Sequence, residues 1–213
     1  MIHDSGLTVE QAGELFRFFR DHRLFQWNSG FNDCEDRSNA ICILLDKWGI
    51  PNYKGWVFTG SYFEKDGGHL INYWNYHVAA MIAVKDGDAL RNYTIDPALC
   101  SGPEVLEDWA EKVTFTHGSV HFITSGDHYI FIPGKITPET WFRRNRQNYK
   151  WTIQGLSGIN GVSKSGKAQL CFCKKRIAAT EKAFIKQMNN KPHFLQFRDQ
   201  ELIEKSLSFN AVL

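Results

Sequence analysis

Several features are scarce or missing in this 213-residue chain, and each absence removes a class of protein. No run approaches the roughly 18 consecutive apolar residues that cross a bilayer, so no membrane span is expected. The N-terminus, MIHDSGLTVEQAGELF, lacks a basic region followed by an apolar core. No Sec-type signal is therefore expected, which places the chain in its producer's cytoplasm or among proteins exported to a target cell by a specialised secretion system. Five cysteines, an odd number without framework spacing, argue for reduced thiols over a disulfide scaffold. Metal-ligand spacing is missing too. His117 and His121 read H-x-x-x-H, but no Glu follows His117, and Val120, Phe122 and Ile123 favour a strand. Cys171-Phe172-Cys173 alternates as on a strand and has no second Cys or His pair. Residues 161–167 come close to a phosphate-binding loop, yet Ala168 stands where Ser or Thr would hold Mg²⁺, and no clean apolar strand precedes it. No metal and no other cofactor is expected.

What is present suffices for a packed core, with 43% hydrophobic and 14% aromatic residues. The formal charge of +2 hides an asymmetry. Residues 1–140 carry 11 Lys/Arg against 19 Asp/Glu, a net of −8, and residues 141–213 carry 14 against 4, a net of +10. A basic segment attracts nucleic acid, anionic membranes or acidic proteins. It can equally pack on the acidic first part, the reading preferred here, with nucleic acid not expected as a partner.

Thr8-Val9-Glu10-Gln11 has the form of a capping box, and Leu15, Phe16, Phe18 and Phe19 give the helix it opens an apolar face, ending near His22. A second helix follows Asn32 or Asp33 as N-cap. Ala40, Ile41, Leu44, Leu45 and Trp48 recur at helical spacing, and Gly49 with Pro51 stops it. Cys34 then lies in the first turn, where unpaired N–H groups and the positive end of the helix dipole favour a thiolate and can meet an oxyanion. Cys42, deeper among apolar residues, reads as an inert core thiol.

The clearest hairpin runs from Trp74 to Pro97. Val78, Ala80, Ile82 and Val84 alternate, Tyr93 and Ile95 continue, and Asp86-Gly87 suits a type I′ turn. With those two residues as the loop, His77 faces Asp96 directly on one face of the sheet, and Val78 and Ile95 point to the other. A carboxylate beside an imidazole fixes the orientation and tautomer of a catalytic base. The other reading is a surface histidine that merely lies near an aspartate.

A Cys at a helix start, a His on a strand and an Asp on the adjoining strand make up the arrangement of papain-like and transglutaminase-like enzymes. The chain resembles the bacterial protein glutaminases, which deamidate glutamine side chains of intact proteins. The likeness is carried over residues 32–110 by Asp33-Cys34 with Arg37, then Trp74-Asn75-Tyr76-His77-Val78-Ala79, then Ile95-Asp96-Pro97-Ala98-Leu99, and Gly102-Pro103 followed by Trp109. The resemblance implies Cys34 as nucleophile, His77 as base and Asp96 as orienting carboxylate. It also implies an α+β fold in which a helix bearing Cys34 packs on an antiparallel sheet bearing His77 and Asp96. Arg37 is read as local support of the helix start. Residues 1–140 are expected to form the catalytic core, and 141–213 a basic C-terminal extension packed on it.

Trp74 and Tyr76 share the strand face opposite His77, as walls of a slot for a glutamine side chain or as core. Tyr53–Thr59 reads as a strand with Trp56 and Phe58 on one face, 67–69 as a loop, and Pro103–Lys112 as a short helix with Trp109 inward. His128–Ile132 reads as a strand; 137–148, 180–189 and 198–207 read as helices. The partner implied is a protein presenting an exposed glutamine, with an inhibitory or chaperone partner if the enzyme is an effector or toxin delivered elsewhere. A transglutaminase or cysteine protease would use the same triad. A binding module with a basic C-terminal part is the non-enzymatic alternative.

Overall fold

The computed structural model describes residues 6–27, 34–58, 76–114, 121–129, 145–159 and 166–195. The elements in order are β1 (Leu7–Thr8), α1 (Val9–Asp21), α2 (Cys34–Lys47), β2 (Asn52–Phe58), β3 (Tyr76–Asp86), β4 (Ala89–Ile95), β5 (Glu104–Val105), α3 (Leu106–Thr114), β6 (His121–Ser125), α4 (Asn145–Leu156) and α5 (Lys167–Met188). Strands run β5-β4-β3-β2-β6, all antiparallel, and β1 adds a short parallel pairing to the far end of β3. The fold is α+β, as expected.

Strand β3 is the spine of this sheet. Its run YHVAAMIAV is buried almost throughout because helices cover both faces. Neighbouring residues of β2 show which helix lies where. Lys54, opposite Ala80, reaches Asn39 of α2, whereas the space above Gly55, opposite Ala79, is taken by Leu106 and Trp109 of α3. Since successive strand residues point to opposite faces, α2 and α3 form two outer layers around one sheet.

Local chemistry accounts for the helix ends. The Thr8 hydroxyl accepts from the Gln11 N–H at 3.1 Å, and Gln11 Oε1 accepts from the Thr8 N–H at 3.0 Å, closing the expected capping box. Helix α2 ends in a Schellman motif. Gly49 takes φ +73°, and the N–H groups of Gly49 and Ile50 return to the carbonyls of Asp46 and Leu45. The ring of Phe19 on α1 stacks on Trp48, joining α1 to α2.

The hairpin differs from expectation in register. Asp86 pairs with Ala89 and Ala80 with Ile95, so the loop is Gly87-Asp88 and not Asp86-Gly87. Gly87 has φ +61°, and Asp88 is not among the positive-φ residues. That is the type II′ pattern with glycine first, where type I′ would need a positive φ at both positions. The slip is two residues, an even number, so every side chain keeps its predicted face. His77 and Asp96 become diagonal neighbours on that face. Strand β4 stops at Ile95, so among the described residues the stretch Tyr76–Ala79 of β3 is paired with β2 alone. A gap opens there.

Other differences lie toward the C-terminus. Cys171-Phe172-Cys173 is helical, part of the 22-residue α5, because the Lys/Gln/Leu/Ala/Arg content around the alternating triplet favours helix. The helix expected at 103–112 covers Leu106–Thr114, with β5 between it and Pro103. His128 and Tyr129 lie beyond β6 without strand pairing. Helix α4 runs to Leu156, past the expected end at 148. It packs on α2, where Gly155 lies against Asp36 and Thr152 Oγ1 accepts from Asn39 Nδ2 at 2.8 Å. Trp74, the 67–69 loop, His117, residues 160–165 and the 198–207 segment lie outside the described residues.

Candidate active site

Helix α2 begins at Cys34 and brings its sulfur from one face of the sheet to the gap where β4 has ended. From the other face come His77 and Asp96. A narrow cleft with room for about one water molecule is lined by Cys34, His77 and Asp96 together, along with Trp27, Arg37 and Val78.

His77 and Asp96 are nearly inaccessible, at 1% and 3% exposure. His77 Nε2 meets Asp96 Oδ2 at 2.8 Å, so Nδ1 is the ring nitrogen not engaged by the carboxylate. The same Oδ2 accepts from the Trp109 indole N–H at 2.9 Å, and Oδ1 accepts from the Ala98 N–H at 3.2 Å. Burial pushes the Asp96 carboxyl up, but the charge and hydrogen bond of His77, the Trp109 donor and the charge of Arg37 outweigh it and hold the carboxyl below its ordinary value. Asp96 is held ionised.

Cys34 behaves differently from the helix-start expectation. Burial, followed by the Glu35 carboxylate, pushes its thiol well above the ordinary value. The Val78 backbone N–H, directed at the sulfur, and the Arg37 charge oppose this without reversing it. Cys34 Sγ donates to Glu35 Oε2 at 3.4 Å. Desolvation exceeds the helix-terminus effect, and the half-buried sulfur rests as a thiol. Cys42 is buried on α2, pushed up to about 12 by burial, in keeping with an inert thiol.

Residues 12–113, which contain every group named in this cleft, match a family model described as a glutaminase. The 12–113 segment belongs to the glutaminase family. A search of curated proteins finds no match. Solved structures share the fold of this chain. The NMR structure of protein-glutaminase from Chryseobacterium proteolyticum is 18% identical with a TM-score of 0.52, over 75% of this chain and 92% of that one. A crystal structure of protein-glutaminase is 19% identical with a TM-score of 0.53, over 75% and 91%. A mutant of pro-protein-glutaminase is 18% identical with a TM-score of 0.54, over 78% of this chain and 63% of its own.

Within the glutaminase segment, Tyr76 lies in an aromatic cluster with Trp56, Phe58 and Phe122, on which Cys34 packs. Its proposed companion Trp74 is outside the described residues. Two residues matter more than the sequence suggested. Arg37, read as local support of the helix start, is 6% exposed, lines the cleft, and sets its guanidinium 5.4 Å from the centroid of the Trp27 ring. Trp109 was expected only to point inward; it binds Asp96. No periodicity reveals either role, because both depend on partners distant in the chain.

Proposed function

We propose that this glutaminase-family chain hydrolyses the γ-carboxamide of glutamine residues in proteins to glutamate and ammonia, with Cys34, His77 and Asp96 as its catalytic groups. The observation that carries the reading is the His77–Asp96 hydrogen bond, whose two residues line the same cleft as Cys34, the first residue of α2. Because Cys34 rests as a thiol, His77 takes the S–H proton as the sulfur attacks the carboxamide carbon. The C=O bond opens to an oxyanion, met by the backbone N–H of Cys34 at the head of α2. His77 returns the proton to the departing nitrogen, the C–N bond breaks, and ammonia leaves a thioester. Water, deprotonated by His77, then attacks the thioester carbon. The C–S bond breaks, glutamate is released and the thiol is restored. Asp96 holds the imidazole in one tautomer and balances its charge throughout.

Tyr76 and Trp74 are assigned to the wall of the slot that takes the glutamine side chain, supported by the packing of Cys34 on the aromatic cluster. Residues 1–140 serve as the catalytic core, and 141–213 as a basic extension. An unrestrained protein deamidase would modify its producer's own proteins. That argument, and no feature of the fold, supports delivery to another cell and an inhibitory or chaperone partner.

The experiment is intact-mass analysis and ammonia release on a denatured glutamine-rich protein. The reading expects +1 Da per converted glutamine, abolished in Cys34→Ala. Wild-type release by that variant would end it. Amine adducts or cross-links would instead mean a transglutaminase, and chain cleavage a protease.

A further inference from the structure

We propose that Trp109 is a positioning residue for the Cys34–His77–Asp96 group: its indole N–H aims the Asp96 carboxylate at His77, and its ring closes the His77–Asp96 hydrogen bond to water. The inference rests on the catalytic reading above.

Asp96 is fixed from three places in the chain. Oδ2 accepts from His77 Nε2 of β3 at 2.8 Å and from Trp109 Nε1 of α3 at 2.9 Å, while Oδ1 accepts from the Ala98 N–H of its own turn at 3.2 Å. An oxygen held by His77 alone would follow the imidazole. Held also by an indole anchored in another layer, it directs the imidazole instead. The indole lies beside the imidazole with ring centroids 5.7 Å apart and planes tilted by 34°. Trp109 is 0% exposed, and in a site this dry a charge-assisted hydrogen bond gains strength.

The seat for the indole is built into the sheet. Gly55 of β2 lies under α3, and a Cβ there would come within 2.7 Å of Leu106 Cδ1 and 3.5 Å of Trp109 Cζ3. The missing side chain lets α3 approach closely enough for the N–H to reach Asp96. Other indoles here take neutral acceptors or none: Trp27 takes the Phe19 carbonyl, Trp56 the Thr124 hydroxyl, and the buried Trp48 N–H has no acceptor among the described residues. Trp109 takes the one carboxylate oxygen already used by His77, which mere core filling does not require.

The test replaces Trp109 by Phe and, separately, by benzothienylalanine, which keeps the fused-ring shape and removes the N–H. Both are expected to lower kcat by about tenfold with KM within about twofold, the loss of one hydrogen bond to a charged group. The pH profiles of kcat/KM and of Cys34 alkylation should both be displaced from those of wild type, since Asp96 loses a donor that favours its ionised form and therefore holds His77 less firmly. Leu106→Ala, on the same helix, should lower the melting temperature and leave both pH profiles in place. If the benzothienyl variant matches wild type in kcat and in both profiles, or if Leu106→Ala shifts the profiles equally, the proposal is overturned. If the wild-type protein releases no ammonia, the deamidase reading fails by itself, and the alkylation profile still decides the role of Trp109.

Discussion

Cys34 hands its S–H to Glu35, the next residue in the chain, with sulfur and Oε2 3.4 Å apart. The carboxylate sits where a negative sulfur would form, so it raises the cost of ionisation in the resting site. In the proposed reaction, His77 therefore removes the proton as attack occurs, in place of a thiolate formed in advance.

Glu35→Gln removes that charge while keeping an acceptor. Alkylation of Cys34 by iodoacetamide at pH 8 should accelerate by about tenfold or more, with exposed Cys171 as an internal reference in peptide mass spectra. An unchanged ratio of Cys34 to Cys171 labelling would show that Glu35 does not govern the thiol.

Lys54 offers a pH test of the packing behind the site. It is wholly buried, donates to Asn39 Oδ1 at 2.8 Å and to the His128 carbonyl, and its pKa is lowered by burial from 10.5 to about 8. Cys42, Asp46, Asp127 and Glu35 act on its charge in the opposite direction. Between pH 8 and 10.5 the unfolded chain keeps a proton that the folded chain has lost. Stability therefore rises with pH across that window, with a slope of up to about 1.4 kcal/mol per pH unit, and is least favoured by Lys54 below it. Urea unfolding of wild type and Lys54→Met from pH 7 to 10 should show their difference growing in favour of wild type as pH rises. A constant difference would contradict the account.

Gly155→Ala sets two effects against each other. Alanine gains at most about 1 kcal/mol over glycine in a helix, and Gly155 is the next-to-last residue of α4. Here its Cβ would lie 1.7 Å from Asp36 Oδ2, a buried carboxylate that accepts from the Tyr129 hydroxyl. Displacing Asp36 should outweigh the helix gain, with a net loss of about 2 kcal/mol or more and a lower melting temperature by calorimetry. A stabilised variant would mean that α4 yields easily on α2.

How far the sequence reaches is best judged at particular residues. Thr8 and Gln11 form their capping box because that signal is local. His77 and Asp96 were legible as one pair even though the hairpin register was misjudged, because a two-residue slip preserves strand faces. The resting state of Cys34 was not legible. A helix start argues for a thiolate, and only the packed protein supplies the burial and the Glu35 geometry that reverse the sign. In the sequence Arg37 reads as local support of a helix start, Lys54 as part of the Tyr53–Thr59 strand and Trp109 as an inward aromatic, since their partners at Trp27, Asn39, His128 and Asp96 are brought together only by the tertiary fold. Cys171 to Cys173 misled by alternation in a triplet too short to outweigh the helix around it.

The turn at Gly87-Asp88 has an influence out of proportion to its position. It begins ten residues after His77, just past the end of β3 and roughly 33 Å away, yet it acts as the ruler that sets which residue follows β4 into the gap. One residue more or fewer in that loop would turn the imidazole and the carboxylate to opposite sides of the sheet. The alignment of the reactive centre is therefore gauged at the far end of the molecule, where no substrate need ever touch it.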